Sequence, residues 1–175
     1  MKKAVFLSLI ITLAVFAVDQ SYNFEQSQEA EVVRVIDGDT IEVNFNGRDE
    51  TVRFIGMDTP EIHGGNNPEY FEGVPDDQKG EDCLLVWAQK STEYVEKQLD
   101  KGEKVELIFE GDRRDQYGRL RAHIHLADHE NSLNYKLVRE GYANVFPVEF
   151  SDRNSFEEAE KQAQEKNKGL WTCRN

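Results

Sequence analysis

The sequence predicts an α+β protein, a small closed Greek-key barrel of five strands carrying three α-helices. Three observations lead there. Residues 31–55 hold three short runs rich in β-branched residues, separated by Asp37-Gly38 and Asn46-Gly47, both turn signals. One amphipathic stretch with helical spacing follows, then two further strand-like runs, then two helical patterns each stopped by glycine. The composition, 38% hydrophobic with 12 Gly and 4 Pro in 175 residues, excludes a mainly disordered, collagenous or multi-span membrane chain.

Taken in order, the first three strands are read at Glu31 to Ile36, Thr40 to Phe45 and Thr51 to Ile55, an antiparallel meander. Residues 61–80, with Gly64-Gly65, Asn66-Asn67, Pro68 and Pro75, read as a long polar loop, and long ordered loops tend to be functional. Leu84, Leu85, Ala88, Val95 and Leu99 then recur near helical spacing between Asp82 and Asp100, with Gly102 just beyond. Lys104 to Phe109 and Leu120 to Leu126 supply two more strands. A short helix capped by Asn131 or Ser132 runs to Arg139 before Gly141, and a last one covers Ser155 to Lys168 before Gly169. The order β-β-β-α-β-β-α-α is that of the oligonucleotide-binding (OB) barrel.

The first residues have the pattern of an export signal: Lys2 and Lys3, an apolar run from Ala4 to Val18, and the small residue Ala17. The run falls short of the roughly 20 apolar residues of a membrane-crossing helix. The expected organisation is a cleaved signal over 1–17, a flexible lead-in over 18–30 and one domain over 31–173, secreted or periplasmic, with no stable membrane partner once the signal is cut. An even count of two cysteines in an exported chain suits one disulfide, Cys83 to Cys173, the alternative being two buried free thiols. The formal charge is −13, and −15 once Lys2 and Lys3 leave with the signal, which excludes a general basic coat for nucleic acid.

Three clusters place acids and arginines where a barrel needs only turn or filler residues. They are Asp37-Gly38-Asp39-Thr40, the run from Arg53 through Asp58-Thr59-Pro60-Glu61, and Asp115-Gln116-Tyr117-Gly118-Arg119. Together, in this order and on these strands, they resemble the staphylococcal nuclease (thermonuclease) family, over about Glu31 to Trp171. The resemblance implies that Asp39 and Asp58 are carboxylate ligands of one Ca2+ with the Thr59 main-chain carbonyl as a third. An all-oxygen set suits a hard cation. It further implies that Glu61 is the general base that activates water, that Arg53 and Arg119 grip the scissile phosphate, and that Tyr117 stacks or hydrogen-bonds at the nucleotide. The implied reaction is phosphodiester hydrolysis of DNA and RNA, preferably single-stranded, to 3′-phosphate and 5′-hydroxyl products by a monomeric enzyme.

Charge counting gives an independent check. Asp39, Asp58 and Glu61 against Arg53 and Arg119 leave the site at about −1, so a phosphodiester is repelled until a divalent cation reverses the sign. Each residue also has a plainer reading: Asp37 as a turn acid, Arg53 as a surface cation paired with Glu42 or Glu50, Arg119 as a turn residue. The plain readings do not explain the three motifs together.

This sequence departs from the family pattern at Gln116, which stands in place of a lysine. Pro147 and Glu149 stand in place of tyrosines, so Phe146 or Phe150 is the candidate for a base-facing platform. His123 and His125 alternate on one strand, a spacing open to a transition metal but read as packing, and His63 in the loop is a minor candidate for substrate contact. The rival function is a catalytically inactive OB-fold module that binds nucleic acid or protein; retention of all five acids and arginines argues against it.

Overall fold

The computed structural model describes residues 27–63, 65–127 and 129–174. The expected signal and most of the lead-in lie outside the described residues. Five strands close a barrel in the order β1-β2-β3-β6-β5: β1 Ser27–Val35, β2 Thr40–Phe45, β3 Arg48–Phe54, β5 Lys104–Ile108 and β6 Leu120–Leu126. All pairs are antiparallel except β3 with β6, the parallel pair that closes the Greek key. The helices are α1 Gln78–Gln98, α2 Leu133–Arg139 and α3 Arg153–Glu165. Two strands escape sequence reading, β4 Met57–Asp58 and β7 Asn144–Val145, each two residues long and paired with each other outside the barrel.

Local chemistry accounts for most boundaries. Asn46 and Gly47 both have positive φ, 54° and 77°, the backbone that a tight β2–β3 hairpin needs. Strand β1 starts at Ser27 rather than Glu31, because Ser27 to Glu31 pair with Ile108 to Lys104 of β5 and close the barrel. Helix α1 begins a turn earlier than its apolar spacing suggests: the Asp77 carboxylate accepts from the Gly80 amide at 2.9 Å and caps a polar first turn. Ser132, one of the two expected caps, accepts from the Tyr135 amide at the start of α2. Leu85, counted in the apolar stripe of α1, is exposed, whereas Leu84, Ala88, Ser91 and Val95 face inward. Among the described residues no helix is long and apolar enough to cross a membrane.

Alternation along the strands fills the barrel with Ile41, Val43, Val52, Phe54, Leu107 and Ile124, and α2 caps it with Leu133 and Leu137. Asn134, fully buried, locks that helix in place. Its Oδ1 accepts from the Ile124 amide at 2.9 Å, and its Nδ2 donates to the Ile55 and Ala122 carbonyls at 3.0 and 3.2 Å. A second cluster gathers Phe71 and Val74 of the 61–80 loop, Leu84, Ala163, Leu170, Trp171 and Cys173. The loop is therefore anchored by two apolar residues and a 3-10 turn at Pro68–Tyr70. Cys83 and Cys173 are disulfide-bonded, with Cα atoms 5.8 Å apart, tying the first turns of α1 to the 3-10 turn Gly169–Arg174. Gly141 and Gly169, both at positive φ, touch backbone to backbone, and the Leu170 amide donates to the Gly141 carbonyl at 2.7 Å; a Cβ on either glycine would overlap the other strand of chain.

His123 packs against the rings of Phe150 and Phe156, each centroid 5.9 Å away, which agrees with its reading as a packing residue. Its Nε2 lies 3.4 Å from Glu110 Oε1, and the Glu110 carboxylate also accepts from the Ser151 amide at 2.8 Å and hydroxyl at 2.6 Å. The histidine and the serine donors, opposing burial, hold the Glu110 carboxyl down to about 2. A carboxylate lowered in the folded state stabilises fully above its unfolded value of 4.5, and that contribution is lost as pH falls through about 2. Between pH 5 and pH 2, the thermal midpoint of the wild type should fall more steeply than that of Glu110→Gln. Parallel curves would remove Glu110 from the acid response.

Candidate active site

The Asp37–Asp39 turn between β1 and β2 reaches into the gap between α1 and Thr59. A Cβ on Gly38 would lie 2.8 Å from Ser91 Oγ and 2.9 Å from Thr59 Oγ1, so only glycine lets the turn approach so closely. The approach buries Asp39, 2% exposed, and surrounds it with donors. Its Oδ2 accepts from the Thr59 amide and hydroxyl, both at 3.1 Å, and its Oδ1 accepts from the Thr40 hydroxyl at 2.9 Å. The Arg53 guanidinium, rising from the outer face of β3, binds Asp39 Oδ1 through one nitrogen and Asp58 Oδ1 through another. Arg53 is thus a bridge between two acids, not a surface cation paired with Glu42 or Glu50. Those two acids go instead to Arg34 and Arg114.

Asp58 is placed by β4, whose partner β7 is in turn fixed where Asn144 Nδ2 donates to the Tyr70 carbonyl at 3.0 Å. Burial raises the Asp58 carboxyl above its ordinary range although Arg53 opposes it; burial likewise raises Asp37, opposed by Thr40 and Arg53. Glu61 sits exposed at the mouth of the site, its carboxyl raised by desolvation and by the negative charges of Asp37 and Asp58. Asn66 holds its backbone from both sides, accepting from the Glu61 amide at 2.8 Å and donating to the Glu61 carbonyl at 3.0 Å. Asn66 belongs to none of the three motifs; its place in a polar loop next to a candidate base is the one sequence signal that points to it. His63 is exposed in the same loop.

Arg119 approaches from the loop before β6. Asp115 folds that loop around itself: its Oδ1 accepts from the Tyr117 and Arg119 amides at 2.9 and 3.0 Å, and its Oδ2 from Arg119 Nε at 2.7 Å. One edge of the Arg119 guanidinium is thereby fixed, and the group lies 5.5 Å from the centre of the Tyr117 ring, which is 75% exposed. Arg53, Asp58, Arg119, Tyr117 and Phe146 line one open groove of about 590 Å3, with Gln116 at its wall. Phe146 is half-exposed there. Phe150 is no platform: it is buried, its ring lying where a Gly56 side chain would be and against Phe156.

All seven residues singled out for the site therefore gather on one side of the barrel. Asp37 and Asp115 join them, and with Asp112, Arg114 and Arg121 of the groove wall the formal charge is −2 rather than −1: six carboxylates, Asp37, Asp39, Asp58, Glu61, Asp112 and Asp115, against Arg53, Arg114, Arg119 and Arg121. Among the described residues no three His, Cys, Asp or Glu side chains are already arranged as ligands around one point. The donor chemistry nonetheless fits a hard divalent cation. Two carboxylates face each other across a single positive group, every nearby donor is oxygen, and the surplus charge is negative.

The class defined by this fold and site is a closed α+β barrel with an acid and arginine centre on its outer face. The chain belongs to the family of staphylococcal nuclease homologues, whose family pattern matches residues 51–173. It is 38% identical over 152 residues to an uncharacterized protein of Methanocaldococcus jannaschii, covering 82% of this chain and 72% of the relative. It is 34% identical over 142 residues to the thermonuclease of Staphylococcus intermedius, covering 80% and 74%. With the thermonuclease of Staphylococcus hyicus it shares 29% identity over 175 residues, covering 95% and 93%.

Proposed function

We propose that this protein is a secreted, Ca2+-dependent nuclease that hydrolyses DNA and RNA, preferably single-stranded, to 3′-phosphate and 5′-hydroxyl products, acting as a monomer. The observation that carries the reading is that Arg53, Asp58 and Arg119 line one groove, with Asp39 bound to Arg53 beside it and Glu61 near enough to feel the charges of Asp58, Arg53 and Arg119. The relatives named as thermonucleases support nuclease chemistry. The disulfide supports export to an oxidising compartment.

In this reading Asp39, Asp58 and the Thr59 carbonyl would hold the cation, which when bound would supply Lewis-acid polarisation of a phosphate oxygen. The Glu61 carboxylate takes a proton from the attacking water, whose oxygen bonds to phosphorus in line with the 5′-oxygen. The P–O5′ bond breaks with its electron pair on the 5′-oxygen, which takes a proton from solvent water and leaves as a hydroxyl. The Arg53 and Arg119 forks donate to the non-bridging oxygens, where negative charge builds. The cation would be needed because Arg53 sets one positive charge against the two carboxylates of Asp39 and Asp58, and a site at −2 repels a phosphodiester.

The test is hydrolysis of denatured DNA and of RNA by the mature protein, with Ca2+ and with chelator, alongside Arg53→Ala. Activity on both polymers that disappears with chelator and with the substitution is expected. Absence of activity under every condition in a folded protein would leave the binding-module reading in its place.

A further inference from the structure

Arg121 stands on β6 two residues after Arg119 and directly in register with Arg53 of the neighbouring parallel strand β3. Residues paired this way project to the same face, on strands about 4.8 Å apart. Val52, Phe54, Leu120 and Ala122 fill the barrel interior, so Arg53 and Arg121 share the outer face, and both line the groove together with Arg119.

The groove arginines differ in what they already hold. Arg53 is bound to Asp39 and Asp58, and Arg119 to Asp115. Arg114 on the rim makes two bonds to Glu50, at 2.9 and 2.8 Å, and one to the Gly118 carbonyl at 2.6 Å. Arg121 is half-buried, and among the described residues its guanidinium has neither an ion pair nor a hydrogen bond. In a chain with 34 acidic residues and 21 basic ones, a permanently charged fork left without a carboxylate is an unmet demand for an anion from outside.

We propose that Arg121 binds the backbone phosphate next to the scissile one, so that the groove is a two-phosphate subsite favouring polymers over isolated phosphodiesters. The inference rests on the nuclease reading. In that reading Arg53 and Arg119, each with guanidinium N–H groups beyond those on its carboxylates, serve the reacting phosphate, and Arg121, beside Arg53 in register and two residues past Arg119, meets the neighbouring phosphate of an extended single strand. The contact is to the backbone, so it carries no base preference.

The experiment compares kcat and KM for a dinucleoside monophosphate, which has only the scissile phosphate, with those for an octanucleotide, in wild type, Arg121→Ala and Arg121→Lys. In Arg121→Ala, KM for the octanucleotide should rise about tenfold more than KM for the dinucleoside monophosphate, and Arg121→Lys should recover part of the difference. The salt dependence of octanucleotide binding in chelator should become shallower by about one charge in Arg121→Ala. Equal changes on both substrates, or none on either, would overturn the assignment. A wild type that cleaves neither substrate would instead overturn the nuclease reading, and this one with it.

Discussion

Glu61→Gln should lower turnover on denatured DNA by about a hundredfold to ten-thousandfold while the thermal midpoint stays where it is. The Glu61 side chain is exposed at the mouth of the site, and its backbone is held by Asn66, which the substitution does not touch. Gln keeps the shape and removes only the proton acceptor. Arg119→Ala should cost a comparable factor, since it removes one of the two forks that meet the developing charge, the one that Asp115 positions. Turnover and thermal unfolding measured on the same preparations check both. Either variant retaining wild-type turnover would remove that residue from the chemistry.

The largest stability effect should come from Cys83→Ser or Cys173→Ser. The bond spans 90 residues, and opening a loop of that length costs on the order of 4 kcal/mol in chain-entropy terms. For a domain of this size that is a fall of roughly 8–16 °C in thermal midpoint. Cys173 is also buried among Leu84, Leu170 and Trp171, so a serine there adds an unpaired hydroxyl to an apolar cluster and should be the worse of the two. Reductant on the wild type should reproduce the Cys83→Ser midpoint. An unchanged midpoint in all three cases would show that apolar packing alone holds this end of the molecule.

Much of the barrel is legible because each cue is local. Asn46-Gly47 dictates its hairpin through two positive φ angles, and alternation from Thr40 to Phe45 or Leu120 to Leu126 needs no distant partner to be seen. The elements that escape are those whose reason lies elsewhere in the chain. Strands β4 and β7 are two residues long and have no period to detect; they exist because Met57 and Asp58 meet Val145 and Asn144. Phe150 looks as free as Phe146 in the sequence, yet the bare backbone of Gly56, almost a hundred residues earlier, gives its ring a seat in the core. The site was legible because its acids and arginines fall in three short motifs. The part that Asp37 and Asp115 play in its charge was not, since an acid in a turn is ordinarily explained by the turn.

The contact between Gly141 and Gly169 bears on timing. Residue 141 ends the turn out of α2 and leads into β7, β7 is the strand partner of β4 among the described residues, and β4 carries Asp58. A ribosome delivers the acids at 39, 58 and 61 early, but the support that sets Asp58 against its neighbours waits for residues 169 and 170 to emerge and dock. Catalytic competence is therefore gained late in synthesis, and a partly made chain already carrying every reactive side chain is still without the arrangement that makes them a site.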